Sequence, residues 1–206
     1  MANPDVVNYL FNSLSKMIDE VRPEYIKWDY NRFFSDSYSS TGIRAGEYAY
    51  RFIMGTYSLI ERLMNKYPTI LFESCSSGGG RYDLGMFYYM PQCWGSDNTN
   101  TRYRTYITNG SLRGYPQSCY GAHVSSDSCP TPEGYYSSLE DRFNLACIGA
   151  FGYEMDLRKY SKEDRDIIKN QIAFYKQHRE LLQFGDLYIV DDVFENDDYF
   201  SFITVN

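Results

Sequence analysis

Arg22-Pro23-Glu24-Tyr25-Ile26-Lys27-Trp28-Asp29 is the stretch on which the fold turns. Proline disfavours the helical conformation of the residue before it, so Arg22-Pro23 ends a helix. Tyr25 to Asp29 is then an aromatic and β-branched run that closes on a polar residue, the pattern of a short strand. Upstream, Asn3-Pro4-Asp5 sets a cap residue, a first-turn proline and an acidic position ahead of Val6, Val7, Leu10, Phe11, Leu14, Met17, Ile18 and Val21. That spacing predicts an amphipathic helix. Downstream, Tyr48, Phe52, Leu59 and Leu63 predict a second helix that stops near Asn65-Lys66-Tyr67-Pro68, and Thr69 to Glu73 predicts a second strand.

The alternation continues. Strands are expected near Gln92-Cys93-Trp94, at Cys119 to Val124 and at Cys147 to Gly152, with helices at Thr101 to Leu112 and Leu139 to Ala146. Ser161-Lys162-Glu163-Asp164 resembles a capping box with Asp in place of Glu, opening a long helix through Ile168, Ile172, Phe174, Tyr175 and Leu181 to Gly185. Strand alternating with helix implies parallel βαβ units and an α/β fold. The rhythm then changes. Leu187 to Val190 and Tyr199 to Val205 are two strand-like runs separated by Asp-rich turn residues, so a β-rich domain is expected from about residue 186.

The chain has 206 residues, enough to bury a sizeable core but fewer than the roughly 250 of a complete (β/α)8 barrel. Its net charge is −7 and its basic residues are scattered, which leaves no electrostatic footprint for nucleic acid. No stretch has the length and apolarity of a membrane span, and the first twenty residues lack the basic and apolar regions of a secretory signal. Cys75, Cys93, Cys119, Cys129 and Cys147 include no C-x-x-C pair, an argument against a disulfide framework or a zinc site. A reducing, cytoplasmic setting is the expectation. Aromatic residues make up 18% of the chain, and rings with polar handles suit sugars as well as cores.

In a parallel α/β barrel the chemistry sits at the C-terminal ends of the strands. The residues there are Lys27 and Asp29, the Ser74-Cys75-Ser76-Ser77 segment, Trp94 and Asp97, and His123 with Ser125. Two carboxylates are what a retaining glycosidase needs, one to attack the anomeric carbon and one to protonate the leaving oxygen, about 5 to 5.5 Å apart. A nearby Lys27 would favour an ionised Asp29, whereas desolvation against Trp94 and repulsion from the first carboxylate would keep a proton on Asp97. Plain alternatives stand beside this reading. Strand-end aspartates also make turns and caps, and tryptophans pack cores. Gly78-Gly79-Gly80-Arg81 lacks the Lys-Ser/Thr ending of a phosphate loop, and no nucleophile signature surrounds Cys75 with His123 or His178 as base.

Three segments resemble glycoside hydrolase family 36, the microbial and plant α-galactosidases of clan D. They are Lys27-Trp28-Asp29-Tyr30-Asn31-Arg32, Glu73 to Asp83 with its continuation Gly85-Met86-Phe87-Tyr88-Tyr89, and Pro91 to Thr99. Weaker matches at Gly121 to Ser125, Phe151 to Asp156 and Gln171 to Lys176 extend the likeness over nearly the whole chain. The resemblance implies the C-terminal half of a (β/α)8 barrel, about strands four to eight, over residues 1–185, followed by the start of a C-terminal β-sandwich at 186–206. It implies Asp29 as nucleophile, Asp97 as acid/base, and Lys27, Trp28, Asn31, Cys75, Ser77, Gly78, Arg81 and Trp94 as substrate contacts. The substrate implied is an α-galactoside oligosaccharide of the raffinose or melibiose type, with no metal or organic cofactor, no nucleic acid and no membrane, in a parent that is a homo-oligomer such as a tetramer.

Ser77 departs from the family's usual glycine, which leaves an α-N-acetylgalactosaminidase open as an alternative; a separate alternative is a non-catalytic carbohydrate-binding module that keeps the motifs as relics of a truncated gene. Asn100 replaces a common aspartate and Leu84 a common proline, and Ser126 to Gly134 keeps little of the usual pattern. The barrel's first three strands, with residues that grip the sugar, are expected to precede Met1. The isolated chain is therefore predicted to turn over an aryl α-galactoside at no useful rate, since positioning of the ring is required for the chemistry. Robust hydrolysis by the purified 206-residue chain would contradict this.

Overall fold

The computed structural model describes residues 1–31, 37–126, 137–196 and 199–206, so Arg32 of the first motif, Cys129 and most of Ser126 to Gly134 lie outside the described residues. The chain divides into two compact units, Met1–Ser76 with Gly80–Pro91, and Ser77–Gly79 with Gln92–Asn206.

The first unit opens with α1 (Pro4–Val21). The Asn3 side chain accepts a hydrogen bond from the Asp5 amide at 2.9 Å, and Arg22 closes the helix in the left-handed conformation with φ of 52°. Strand β1 (Tyr25–Asp29) follows, then α2 (Ala45–Lys66), β2 (Leu71–Cys75) and the short helix α3 (Leu84–Tyr89). β1 and β2 pair in parallel, with Lys27 opposite Glu73 and Asp29 opposite Cys75. Val7 and Ile18 of α1, Leu59, Ile60 and Leu63 of α2, and Phe72 of β2 form the core, against which Ile26 and Trp28 pack. Polar contacts add to the α1–α2 seam. The Tyr67 hydroxyl donates to Asp19 Oδ1 at 2.8 Å and Lys66 Nζ lies 3.0 Å from Asp19 Oδ2. Those two partners, the tyrosine first, hold the Asp19 carboxyl below its usual range.

The second unit contains β3 (Gln92–Trp94), α4 (Thr101–Gly114), β4 (Tyr120–Ser125), α5 (Leu139–Ala146), β5 (Ala150–Glu154) and α6 (Lys162–Phe184). β3 pairs with β4 and β4 with β5, all in parallel. Both α5 and α6 begin with reciprocal capping boxes, Ser138 with Asp141 and Ser161 with Asp164. The buried Tyr175 hydroxyl of α6 donates to the Gly149 carbonyl at 2.7 Å. The unit ends in β6 (Asp186–Asp191), a four-residue helix α7 (Val193–Asn196) and β7 (Ser201–Val205), with β6 and β7 antiparallel.

Most elements lie where the periodicity sets them. β2 and β5 begin later than expected, and β5 does so because Cys147 is spent on capping α5, its amide donating to the Phe143 carbonyl at 2.8 Å, while Ile148 is fully buried. Two short helices were not expected. Asp83 caps α3 by accepting from the Met86 amide at 3.0 Å, and Asp192 caps α7 by accepting from the Phe194 amide at 2.9 Å. Asp192 is also held by the Asn109 amide at 2.5 Å and by Arg113. Among the described residues, no helix is long and apolar enough to cross a membrane.

Leu63 is fully buried at the centre of the first unit's core. Leu63→Ala is expected to cost about 2 to 5 kcal/mol, transfer and cavity terms together, in urea unfolding followed by circular dichroism. Val190→Ala on exposed β6 is expected to stay within about 0.5 kcal/mol of the parent.

Candidate active site

In the first unit, strand alternation sorts the residues. Lys27 and Asp29 are exposed, whereas Ile26 and Trp28 are half-buried on the opposite side of β1. Half-buried Trp28 packs against the core that includes Leu59, Leu63 and Phe72. Glu73 and Cys75, the register partners of Lys27 and Asp29, are buried, and the Tyr25 hydroxyl donates to Glu73 Oε2 at 2.5 Å. Lys27, Asp29 and Cys75 thus occupy neighbouring positions at the C-terminal end of a parallel pair.

The chain just past Asp29 is braced from β2. The Tyr30 amide donates to the Cys75 carbonyl at 2.9 Å, and the Ser76 hydroxyl donates to the Tyr30 carbonyl at 2.9 Å. Arg81 donates to that same carbonyl and, at 2.7 Å, to Ser76 Oγ, and its guanidinium lies 4.4 Å from the centre of the Tyr30 ring. Those contacts make Arg81 a brace for the segment that carries Asp29. Asn31 is exposed one residue further on.

The second unit holds the other candidate carboxylate. Trp94 is 2% exposed, and its indole N–H donates to Asp97 Oδ1 at 3.1 Å. The Arg104 guanidinium lies 4.3 Å from the centre of that indole, and the His123 ring contacts it at 4.5 Å between centroids. Arg104 also donates to the Tyr120 hydroxyl at 2.8 Å and to the Ser96 carbonyl, which fixes the backbone just before Asp97. Asp97 itself is exposed.

Ser77 and Gly78 approach that backbone from the turn after β2. Gly78 bridges Ser96, and a Cβ at Gly78 would lie 2.5 Å from Ser96 Cα and 2.7 Å from the Asp97 nitrogen. Ser77 is exposed and sits at φ of 50°, in the left-handed region that favours glycine. The serine therefore occupies a conformation that suits glycine. Arg104 was missed in the sequence; its signal was an arginine among Thr101, Thr108 and Leu112 on the buried face of α4. His123 meets the ring of Trp94, whose N–H donates to Asp97.

The family model described as Melibiase matches residues 1–185. Alpha-galactosidase 1 of Pediococcus pentosaceus is 45% identical over 185 residues, covering 89% of this chain and 25% of that protein. The crystal structure of the α-galactosidase from Lactobacillus brevis superposes with a TM-score of 0.90 at 44% identity, covering 100% of this chain and 28% of that one. A substituted form of the family 36 α-galactosidase AgaA from Geobacillus stearothermophilus, solved with raffinose, gives a TM-score of 0.91 at 38% identity over 99% of this chain and 29% of that one. The chain spans about a quarter of the length of the curated relatives it matches.

Gly78→Ala is expected to lower stability by about 1 to 3 kcal/mol through overpacking against Ser96 and Asp97. Ser77→Gly is expected to be neutral or to stabilise by up to about 1 kcal/mol, relief of left-handed strain being partly offset by chain entropy. Denaturation midpoints check both. In a Trp28→Phe background, where Trp94 is the remaining tryptophan of the chain, indole fluorescence reports whether Gly78→Ala displaces its surroundings.

Proposed function

Since the chain belongs to the melibiase family and to glycoside hydrolase family 36, with the fold of those enzymes' (β/α)8 barrel segment, we propose that it carries both catalytic carboxylates of a retaining α-galactosidase. The observation that carries the reading is the position of the two aspartates. Asp29 is the last residue of β1 and Asp97 lies three residues past the end of β3; both are exposed beyond the C-terminal ends of parallel strands, where (β/α)8 enzymes keep their chemistry.

In this reading the Asp29 carboxylate attacks the anomeric carbon of a terminal α-linked galactose while Asp97 gives its proton to the departing glycosidic oxygen. The first displacement leaves a galactosyl ester on Asp29. Asp97, now ionised, takes a proton from water as the water attacks the anomeric carbon and the Asp29 carboxylate departs, and the second inversion restores the α configuration. The Trp94 N–H donates to Asp97 and orients it for both steps. Lys27 lies on the face of β1 that carries Asp29. Raffinose-type oligosaccharides are the proposed substrate class, supported by the raffinose complex of the related AgaA. Residues 186–206 are proposed to open a β-rich domain, because the family match ends at 185 and the strands beyond it pair antiparallel.

The test exchanges residues 1–206 for the matching segment of the L. brevis α-galactosidase and measures raffinose hydrolysis. Activity is expected in the chimera, and Asp29→Ala should lower kcat by roughly 10⁴-fold or more. On an aryl α-galactoside, whose leaving group departs without protonation, azide should restore turnover to both aspartate variants with opposite stereochemistry. Asp29→Ala should yield the β-galactosyl azide by a single inversion, and Asp97→Ala the α-azide by attack on the covalent ester. Undiminished activity in Asp29→Ala, or a β-azide from Asp97→Ala, would overturn the assignment.

A further inference from the structure

Beside Arg104, which stacks on Trp94, the second unit has a half-open cavity of about 20 Å³, lined by Arg104, His123, Ser125, Arg142, Thr101 and Thr108 among others. That is room for one water-sized occupant. Arg104 and Ser125 are each 7% exposed, and Arg104 Nε and Ser125 Oγ are buried without a hydrogen-bond partner. The other guanidinium nitrogens of Arg104 are committed to Tyr120 and Ser96, and no described carboxylate pairs with it. Arg142 donates to the Ser125 carbonyl at 2.6 Å and to the Ser138 carbonyl at 3.1 Å, both neutral acceptors. Among the described residues, no carboxylate lines the cavity. Glu154, 3.4 Å from His123 Nδ1, is exposed and is not part of the lining.

A buried charge without a counter-charge is costly, and two buried donors facing no acceptor add to that cost. A water satisfies the two polar atoms but leaves the charge of Arg104 without a counter-charge among the described residues. A monatomic anion answers both requirements, since it accepts from N–H and O–H donors and neutralises the guanidinium. We infer that this cavity is a binding site for a small monovalent anion of chloride's size, held by Arg104 Nε and Ser125 Oγ. Because Arg104 also stacks on Trp94 and holds the Ser96 carbonyl, the bound anion steadies the backbone and indole that position Asp97.

The site is tested by binding, independently of any glycosidase activity. Thermal unfolding of the 206-residue chain is followed in sodium gluconate at constant ionic strength while chloride or bromide replaces gluconate. Halide is expected to raise Tm saturably by about 2 to 4 °C. Crystals grown in bromide should show an anomalous peak within hydrogen-bonding distance of Arg104 Nε and Ser125 Oγ. Ser125→Ala removes one donor and leaves Arg104 in place, and it should weaken the apparent halide affinity several-fold while the protein remains folded. Equal Tm values in gluconate and halide, a water with no anomalous signal in the cavity, or a halide effect unchanged by Ser125→Ala would each overturn the inference.

Discussion

The side chains of a strand alternate between its two faces, and burial of one face decides what the other can present. In β1 the apolar positions Ile26 and Trp28 are taken up by the core of α1 and α2. Lys27 and Asp29 are thereby turned to the opposite side, with no freedom to slip by one residue, because a slip would expose the tryptophan and bury the two charges. The same register sets Cys75 beside Asp29 across the parallel pair. A packing requirement among hydrocarbons therefore fixes the direction of the ionisable groups, and the brace formed by Ser76, Arg81 and Tyr30 holds the chain that leaves the strand.

The second unit solves a different problem, since it positions an exposed carboxylate from a buried ring. The indole of Trp94 has one polar atom, and that atom donates to Asp97. Its faces are engaged by Arg104 and His123, so the donor has little freedom to swing away. The backbone is held at the same place from two sides, by Arg104 on the Ser96 carbonyl and by Gly78, whose missing side chain permits the close approach. Asp97 can remain in water while its orientation is set by groups that are not.

Much of this was legible along the chain, for identifiable reasons. Helices α1 and α6 announce themselves through Asn3 and Ser161, residues whose side chains satisfy helix-end amides within three positions. Local chemistry of that kind is complete within a few residues. The start of β5 was less legible, because Cys147 and Ile148 are as apolar as strand residues but are consumed by the end of α5 and by its core. α3 and α7 escaped notice because each is a single short segment whose stability comes from an aspartate cap rather than from a periodic face.

The candidate site divides along the same line. The residues by themselves determined the alternating strands and helices, the strand-end positions of Asp29 and Asp97, and the likeness of their surrounding motifs to one family, since all of these are written in local order and spacing. Only the tertiary structure decided that Trp28 faces the core and Arg81 braces the chain, that Ser77 adopts a left-handed conformation, and that Arg104, seven residues beyond Asp97, stacks on Trp94. Those outcomes depend on which buried surfaces must close and which buried charges must be met, and neither demand is visible until distant segments are packed together.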